Sequence, residues 1–259
     1  MSQGPTRKFP LPLDRLPGAR RVAPPSSVPG SPAKAVLSGH GLDSADVRRR
    51  MVERLKSAGV VHPGVLAAFA TVPRHHFVDP GLATQSYEDT SLPIGHGQTI
   101  SKPSVVARML ELLGEGANAR RDGHFGAVLE IGTGCGYQAA LLSELGRRIV
   151  SVERLKPLHD KARELLAPMR SNRLRLVFGD GMLGHAPGAP YDSMIAAAGG
   201  GEPPPAWLDQ LSVGGRLVCP VADGRGGQVL VVLDRTESGY ARNVREAVKF
   251  VALRSGLAP

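Results

Sequence analysis

Val128-Leu129-Glu130-Ile131-Gly132-Thr133-Gly134-Cys135-Gly136-Tyr137 is the stretch on which the fold turns. Ala127 to Ile131 reads as a buried strand, being mostly large and apolar over a strand's length. Three glycines follow at alternate positions, where they permit positive φ and close approach of the backbone to a ligand. Tyr137 to Leu145 then reads as a helix. Outward from this unit the alternation continues downstream. Strands are predicted over Arg148 to Glu153, Leu174 to Phe178, Asp192 to Ala197 and Arg216 to Val221, with Gln228 to Asp234 and Ala247 to Leu253 as a final pair. Helices are predicted over Pro157 to Met169 and Pro204 to Leu211. Such alternation builds a mostly parallel sheet with helices on both faces. The expected class is α/β, a Rossmann-like seven-stranded sheet flanked by helices, with a helical segment before it.

Upstream, residues 1–41 are rich in Pro, Gly, Ser and Arg and poor in large apolar residues. Little burial is available there to offset the entropy of ordering, so a disordered tail is expected. Residues 42–259 form the expected folded domain, divided into 42–125 and a Rossmann-like core over 126–259. In the first part Asp43 or Ser44 can cap a helix carrying Val47, Met51, Leu55 and Ala58 on one face, with Gly59 as its stop. A short helix over Val65 to Ala70 ends at Pro73, and another spans Ser104 to Leu113. Residues 74–102 have no clear period and read as a long loop, a length that in a compact domain usually signals function.

The totals exclude several classes. No apolar run is long enough for a membrane span, and Met1 to Gly30 has no apolar core of the secretory kind. Two cysteines, Cys135 and Cys219, cannot build a disulfide framework or a structural metal site. A cytoplasmic monomer without a metal is expected. The net charge of +9 would attract nucleic acid, but the arginines are scattered and aromatics are only 4%. A solvated basic surface with no specific nucleic-acid or membrane partner is the reading adopted. His75-His76 has no further ligands at metal spacing and reads as a surface pair.

The glycine loop carries the chemistry. Glu153 ends the next strand about twenty residues on, where a carboxylate can accept bonds from two ribose hydroxyls. The glycines are spaced G-x-G-x-G, whereas dinucleotide sites use G-x-G-x-x-G to seat a pyrophosphate on the helix N-terminus. Position 137 is Tyr. Glu130, two residues before Gly132, would repel a pyrophosphate but suit a ligand bearing an ammonium and a sulfonium. S-adenosylmethionine carries both. After the third strand, Asp180 can accept from an adenine amino group while the Gly181 N–H donates to the ring. Each acid alone has an ordinary explanation as a strand-end charge, a surface ion pair with Arg154 or a turn. Three acids at successive strand ends, where such sheets bind ligands, point together to a methyl-donor site.

Outside the loop, Leu92-Pro93-Ile94-Gly95-His96-Gly97-Gln98-Thr99-Ile100-Ser101-Lys102-Pro103 resembles the pre-sheet motif of the protein-L-isoaspartate O-methyltransferase family. Val72-Pro73-Arg74 with Phe77-Val78, Ser151-Val152-Glu153-Arg154, Gly179-Asp180-Gly181 and Gly214-Gly215-Arg216-Leu217-Val218 are similar to further family segments. The resemblance covers roughly Val47 to Leu253. It implies methylation, by S-adenosylmethionine, of the free α-carboxylate of L-isoaspartyl residues in damaged proteins. The ester then closes to a succinimide that reopens partly to aspartate. It also implies a cofactor set of Gln98, Thr99, Ile100, Ser101, Glu130, Gly132, Thr133, Gly134, Gly136, Glu153, Arg154, Asp180 and Gly181, with Ser101 as the active-site serine. Ser101 would hydrogen-bond the substrate carboxylate; no G-x-S-x-G elbow marks it as a nucleophile. It would also serve as the N-cap of the helix after Pro103. His96 could offer a further polar contact, although a solvated loop histidine is the plainer reading. Cys135 in place of a common Ser, Ala196-Ala197-Ala198-Gly199-Gly200 after the fourth strand, and Ala252 with Arg254 near the end depart from the family pattern. An S-adenosylmethionine-dependent methyltransferase acting on RNA or another substrate is the alternative, but no Asp-Pro-Pro-Tyr-like motif is present and Cys219-Pro220 has the wrong order for a Pro-Cys nucleophile. A non-catalytic ligand-binding module would not need both the acids and the Gly-Gln-Thr-Ile-Ser run.

Overall fold

The computed structural model describes residues 45–258. The expected tail over residues 1–41 and the cap at Asp43 or Ser44 lie outside the described residues. The sheet has seven strands: β3 (Ala127–Ile131), β4 (Arg148–Glu153), β5 (Leu174–Phe178), β6 (Tyr191–Ala196), β7 (Leu211–Ala222), β8 (Gln228–Thr236) and β9 (Gly239–Val248), in the order β5-β4-β3-β6-β7-β8-β9. The first five pair in parallel, and β8 runs antiparallel to both β7 and β9. All five residues of central β3 are buried, as a strand covered on both faces must be.

Helices cover the sheet: α1 (Ala45–Ser57), α2 (Pro63–Thr71), α3 (Pro103–Gly114), α4 (Ala117–Asp122), α5 (Tyr137–Leu145), α6 (Lys156–Leu166) and α7 (Pro205–Gln210). Two apolar clusters result. One joins α1, α2, α3 and α5 to one face of the sheet through residues such as Phe69, Leu110 and Leu141. The other gathers Leu129, Val150, Met194 and Trp207 on the opposite face.

Three differences from the sequence reading bear on the site. First, residues 74–102 are not plain loop. They contain 3-10 turns over Arg74–Phe77 and Pro80–Gln85 and a hairpin of β1 (Leu92–Gly95) and β2 (Gln98–Ile100). His96 and Gly97 make its two-residue turn at φ 53° and 68°, the left-handed pair that matches strand twist. Second, the last strand is Gly239–Val248, not Ala247 to Leu253. This edge strand is exposed along nearly its whole length, so it carries no apolar signal. The apolar Val251 and Leu253 instead bond to Gly199 beyond β6, through Gly199 N–H to Val251 O and Leu253 N–H to Gly199 O. Third, Ser101 is not the cap of α3. The cap position is Lys102, and Asp89 accepts from the Ser104 N–H at 2.9 Å and from its hydroxyl at 2.7 Å.

Candidate active site

Strand order reverses at β3: β4 and β5 lie on one side of it and β6 on the other. The crevice at such a reversal is where open α/β sheets bind ligands. A cavity of about 420 Å³ opens there, between the strand ends, the β1–β2 hairpin and the segment Val251 to Arg254.

The glycine loop forms one wall. Gly132, Gly134 and Gly136 have φ of 90°, 55° and 93°, and the Gly132 N–H bonds to Val152 O at 2.9 Å, which ties the loop to β4. Gly132, Thr133 and Gly134 line the cavity, whereas Gly136 does not. A Cβ on Gly136 would come within 2.7 Å of Leu166 Cδ1, so that glycine lets α6 pack against the loop.

Glu153 reaches the same space. It is almost wholly buried, and its two oxygens accept from the Gly134 and Leu155 N–H groups, each at 2.9 Å. An ionised carboxylate has about four acceptor positions, so two remain for hydroxyl donors in the cavity. Arg154 lines the rim and donates to Gly256 O at 2.8 Å, pinning the C-terminal segment. Gly181 lines the far end. Asp180 does not line it; its oxygens accept from the Met182 N–H at 2.9 Å and the Gly256 N–H at 2.6 Å.

Glu130 also lies behind the wall, with no exposure. Ser151 donates to one of its oxygens, the Ser151 hydroxyl is 2.6 Å from that of Thr133, and the Gln138 side chain also bonds to the carboxyl, so Glu130 reaches the cavity through its neighbours. Burial in this apolar setting pushes its carboxyl up to about 8, against an ordinary value near 4.5. It is therefore mostly protonated at neutral pH. Burial likewise pushes the Cys135 thiol up to about 11, which leaves it unreactive.

The hairpin supplies the opposite wall. Gln98, Thr99, Ile100 and Ser101 all line the cavity, together with His96. The Ser101 carbonyl accepts from Arg74 at 2.7 Å, while its hydroxyl makes no hydrogen bond among the described residues. Ala197, Ala198, Ala252 and Arg254, which the sequence reading associated with the substrate rim, line the cavity, whereas Gln138, Val251 and Leu253 were missed as lining residues. The apolar character of the closing run was legible, but it had been read as a strand. Among the described residues no cluster of three or more metal-type ligands occurs, and no helix is long and apolar enough to cross a membrane.

The family model described as protein-L-isoaspartate(D-aspartate) O-methyltransferase matches residues 46–258. The chain belongs to the protein-L-isoaspartate O-methyltransferase family. Within that family, a protein-L-isoaspartate O-methyltransferase of Methylibium petroleiphilum is 56% identical, over 98% of this chain and 98% of its own length. One of Leptothrix cholodnii is 55% identical, over 98% and 96%. A solved protein-L-isoaspartate O-methyltransferase matches with TM-score 0.71 at 27% identity, covering 81% of this chain and 67% of that one. A Plasmodium falciparum structure bearing the same family name matches with TM-score 0.66 at 21% identity over 80% and 98%, a likeness of fold.

Protein-L-isoaspartate O-methyltransferases depend on S-adenosylmethionine, and the cavity fits that molecule. It has the volume usual for sites of this kind. It offers a carboxylate with spare acceptor positions and a glycine cradle.

Proposed function

We propose that the chain methylates the free α-carboxylate of L-isoaspartyl residues in damaged proteins and peptides, and so initiates their return through a succinimide to aspartate. The observation that carries this reading is the Ser101 hydroxyl. Ser101 lines the same cavity as the glycine loop and Glu153, and its hydroxyl has no protein partner among the described residues. Relieved of the cap by Asp89, it is available to a substrate oxygen.

In this reading Glu153 accepts from the ribose hydroxyls, Gly132 to Gly134 approach the methionine portion, and Gly181 faces the adenine. Gln98, Thr99, Ile100 and Arg154 close the site from the hairpin and the rim. Glu130, Gly136 and Asp180 support it from behind: Glu130 steadies Thr133 through Ser151, Gly136 seats the loop on α6, and Asp180 holds the C-terminal segment. S-adenosylmethionine supplies a methyl group already activated by its sulfonium. A substrate carboxylate is ionised at pH 7, so no side chain has to remove a proton. The protein's task is alignment and exclusion of water: Ser101 donates to one carboxylate oxygen and leaves the other facing the methyl donor. Opposite charges cancel as the methyl transfers, a change that exclusion of water favours.

The domain is taken as residues 42–259 preceded by a tail over 1–41, acting as a cytoplasmic monomer with no specific nucleic-acid or membrane partner. The test is mass spectrometry of an isoaspartyl peptide incubated with the protein and S-adenosylmethionine. The expected product gains one methyl group as a base-labile ester. A peptide that stays unmodified with folded, donor-bound protein contradicts the reading.

A further inference from the structure

Arg74 belongs to the Val72-Pro73-Arg74 segment and has no part in the chemistry described so far. It is an arginine with no exposure. Its Nε donates to Ser86 O and its Nη2 to Ser101 O, both at 2.7 Å, and Nη2 reaches Thr90 O at 3.5 Å. The guanidinium carbon lies 4.9 Å from the centre of the Tyr137 ring. Tyr137 opens α5 directly after the glycine loop. One side chain therefore grips both ends of the segment 86–101 and rests on the element that carries the cofactor loop.

Burying a guanidinium is costly, and burial here lowers its pKa. A clamp of loop carbonyls alone could be made by neutral donors. The planar fork does more, because it fixes two carbonyls fifteen residues apart relative to each other and to an aromatic face. One of those carbonyls belongs to Ser101, a residue that lines the cavity.

We propose that Arg74 is a positioning residue, which holds the Ser101 hydroxyl in register with the glycine loop by gripping the Ser101 carbonyl above the Tyr137 ring. This rests on the reading that Ser101 orients the substrate carboxylate. Lysine at this position keeps the charge but presents a single nitrogen, so it cannot hold the Ser86 and Ser101 carbonyls in the same fork geometry.

The test compares Arg74→Lys, Ser101→Ala and the double variant, with Arg74→Gln added because it leaves no buried charge should the lysine variant fail to fold. Five quantities are read: kcat and KM on an isoaspartyl peptide, S-adenosylmethionine affinity, thermal midpoint, and hydrogen exchange of the amides around Ser101. Arg74→Lys should lower kcat about tenfold, the scale of one lost charged hydrogen bond, while KM and donor affinity move less than about twofold. Exchange around Ser101 should quicken in the variant without the donor present. In the Ser101→Ala background the same change should cost little more, since the group it positions is gone. A merely structural clamp predicts a lower midpoint with unchanged turnover per folded molecule, and that result overturns the proposal. So does a fully multiplicative loss in the double variant. A Ser101→Ala enzyme as fast as the parent sinks the serine reading, and the proposal with it. A slow Ser101→Ala beside a normal Arg74→Lys sinks the proposal alone.

Discussion

Glu153→Gln separates the two duties of the buried carboxylate at the end of β4. In the parent, one oxygen holds the Gly134 N–H and the other the Leu155 N–H, each at 2.9 Å. An amide keeps one acceptor and turns the other position into a donor, which must face one of those N–H groups. A buried donor left unpaired costs about 1–3 kcal/mol. For a chain of this size, each kcal/mol lowers the thermal midpoint by about 2–4 °C, so the ligand-free variant should melt several degrees early. The cavity side also loses half its acceptor positions and the charge that strengthens them. One charged hydrogen bond contributes about 1.5–3 kcal/mol, so S-adenosylmethionine affinity should fall by at least about tenfold. Glu153→Ala should lose both contacts and weaken binding further. A thermal scan without ligand followed by calorimetric titration measures the two effects separately. A folded Gln variant that binds the donor as tightly as the parent refutes the ribose assignment, whatever happens to its midpoint.

Three further outcomes follow from the site's surroundings. Glu130 titrates near 8 when folded and near 4.5 ordinarily, so between those values the native state holds a proton that the unfolded chain has released. Its contribution is fully present below about pH 4.5 and is lost as pH rises toward about 8, at up to about 1.4 kcal/mol per pH unit; Glu130→Gln should flatten that slope in denaturant melts across the window, and an unchanged slope contradicts the burial assignment. Gly136→Ala forces a Cβ to within 2.7 Å of Leu166 at a φ of 93°. It should destabilise the fold by about 1–3 kcal/mol, with donor affinity in the folded fraction nearly kept; selective loss of affinity would restore Gly136 to the binding surface. Removal of residues 1–41 should leave turnover on a short isoaspartyl peptide within about twofold, and a large fall with folding preserved would mean that the tail shapes the site.

The sheet was legible where burial and period coincide. β3, β4, β5 and β6 are short, apolar and bounded by turn residues, and the glycine loop announces itself by spacing. Three kinds of element escaped. The β1–β2 hairpin has strands of four and three residues, too short for alternation to stand out, although His96-Gly97 between Ile94 and Ile100 is a usable turn signal. α4 has six residues and is held by Asn118 bonding to Asp192 and Ser212, partners remote in sequence. β9 lies at an exposed edge, where its Arg-rich sequence needs no apolar face.

In the site, residue types were readable and depth was not. Glu130, Gly136 and Asp180 stand in the motif beside residues that line the cavity, yet each faces protein: Ser151, Leu166 and the N–H groups of Met182 and Gly256. A motif specifies the order of residues along a strand and turn but not which of them the neighbouring elements cover. Ser101 shows the converse. Its place before Lys102-Pro103 suggested a cap, but the capping carboxylate comes from Asp89, a partner that only the folded loop brings near.

The most direct measurement of the central claim is transfer of labelled methyl from S-adenosylmethionine to an isoaspartyl peptide and to its aspartyl twin, side by side with RNA. The account predicts label in the isoaspartyl peptide alone, lost on mild base as the ester closes to succinimide. Equal labelling of the aspartyl twin, or label appearing in RNA and not in the peptide, would contradict it.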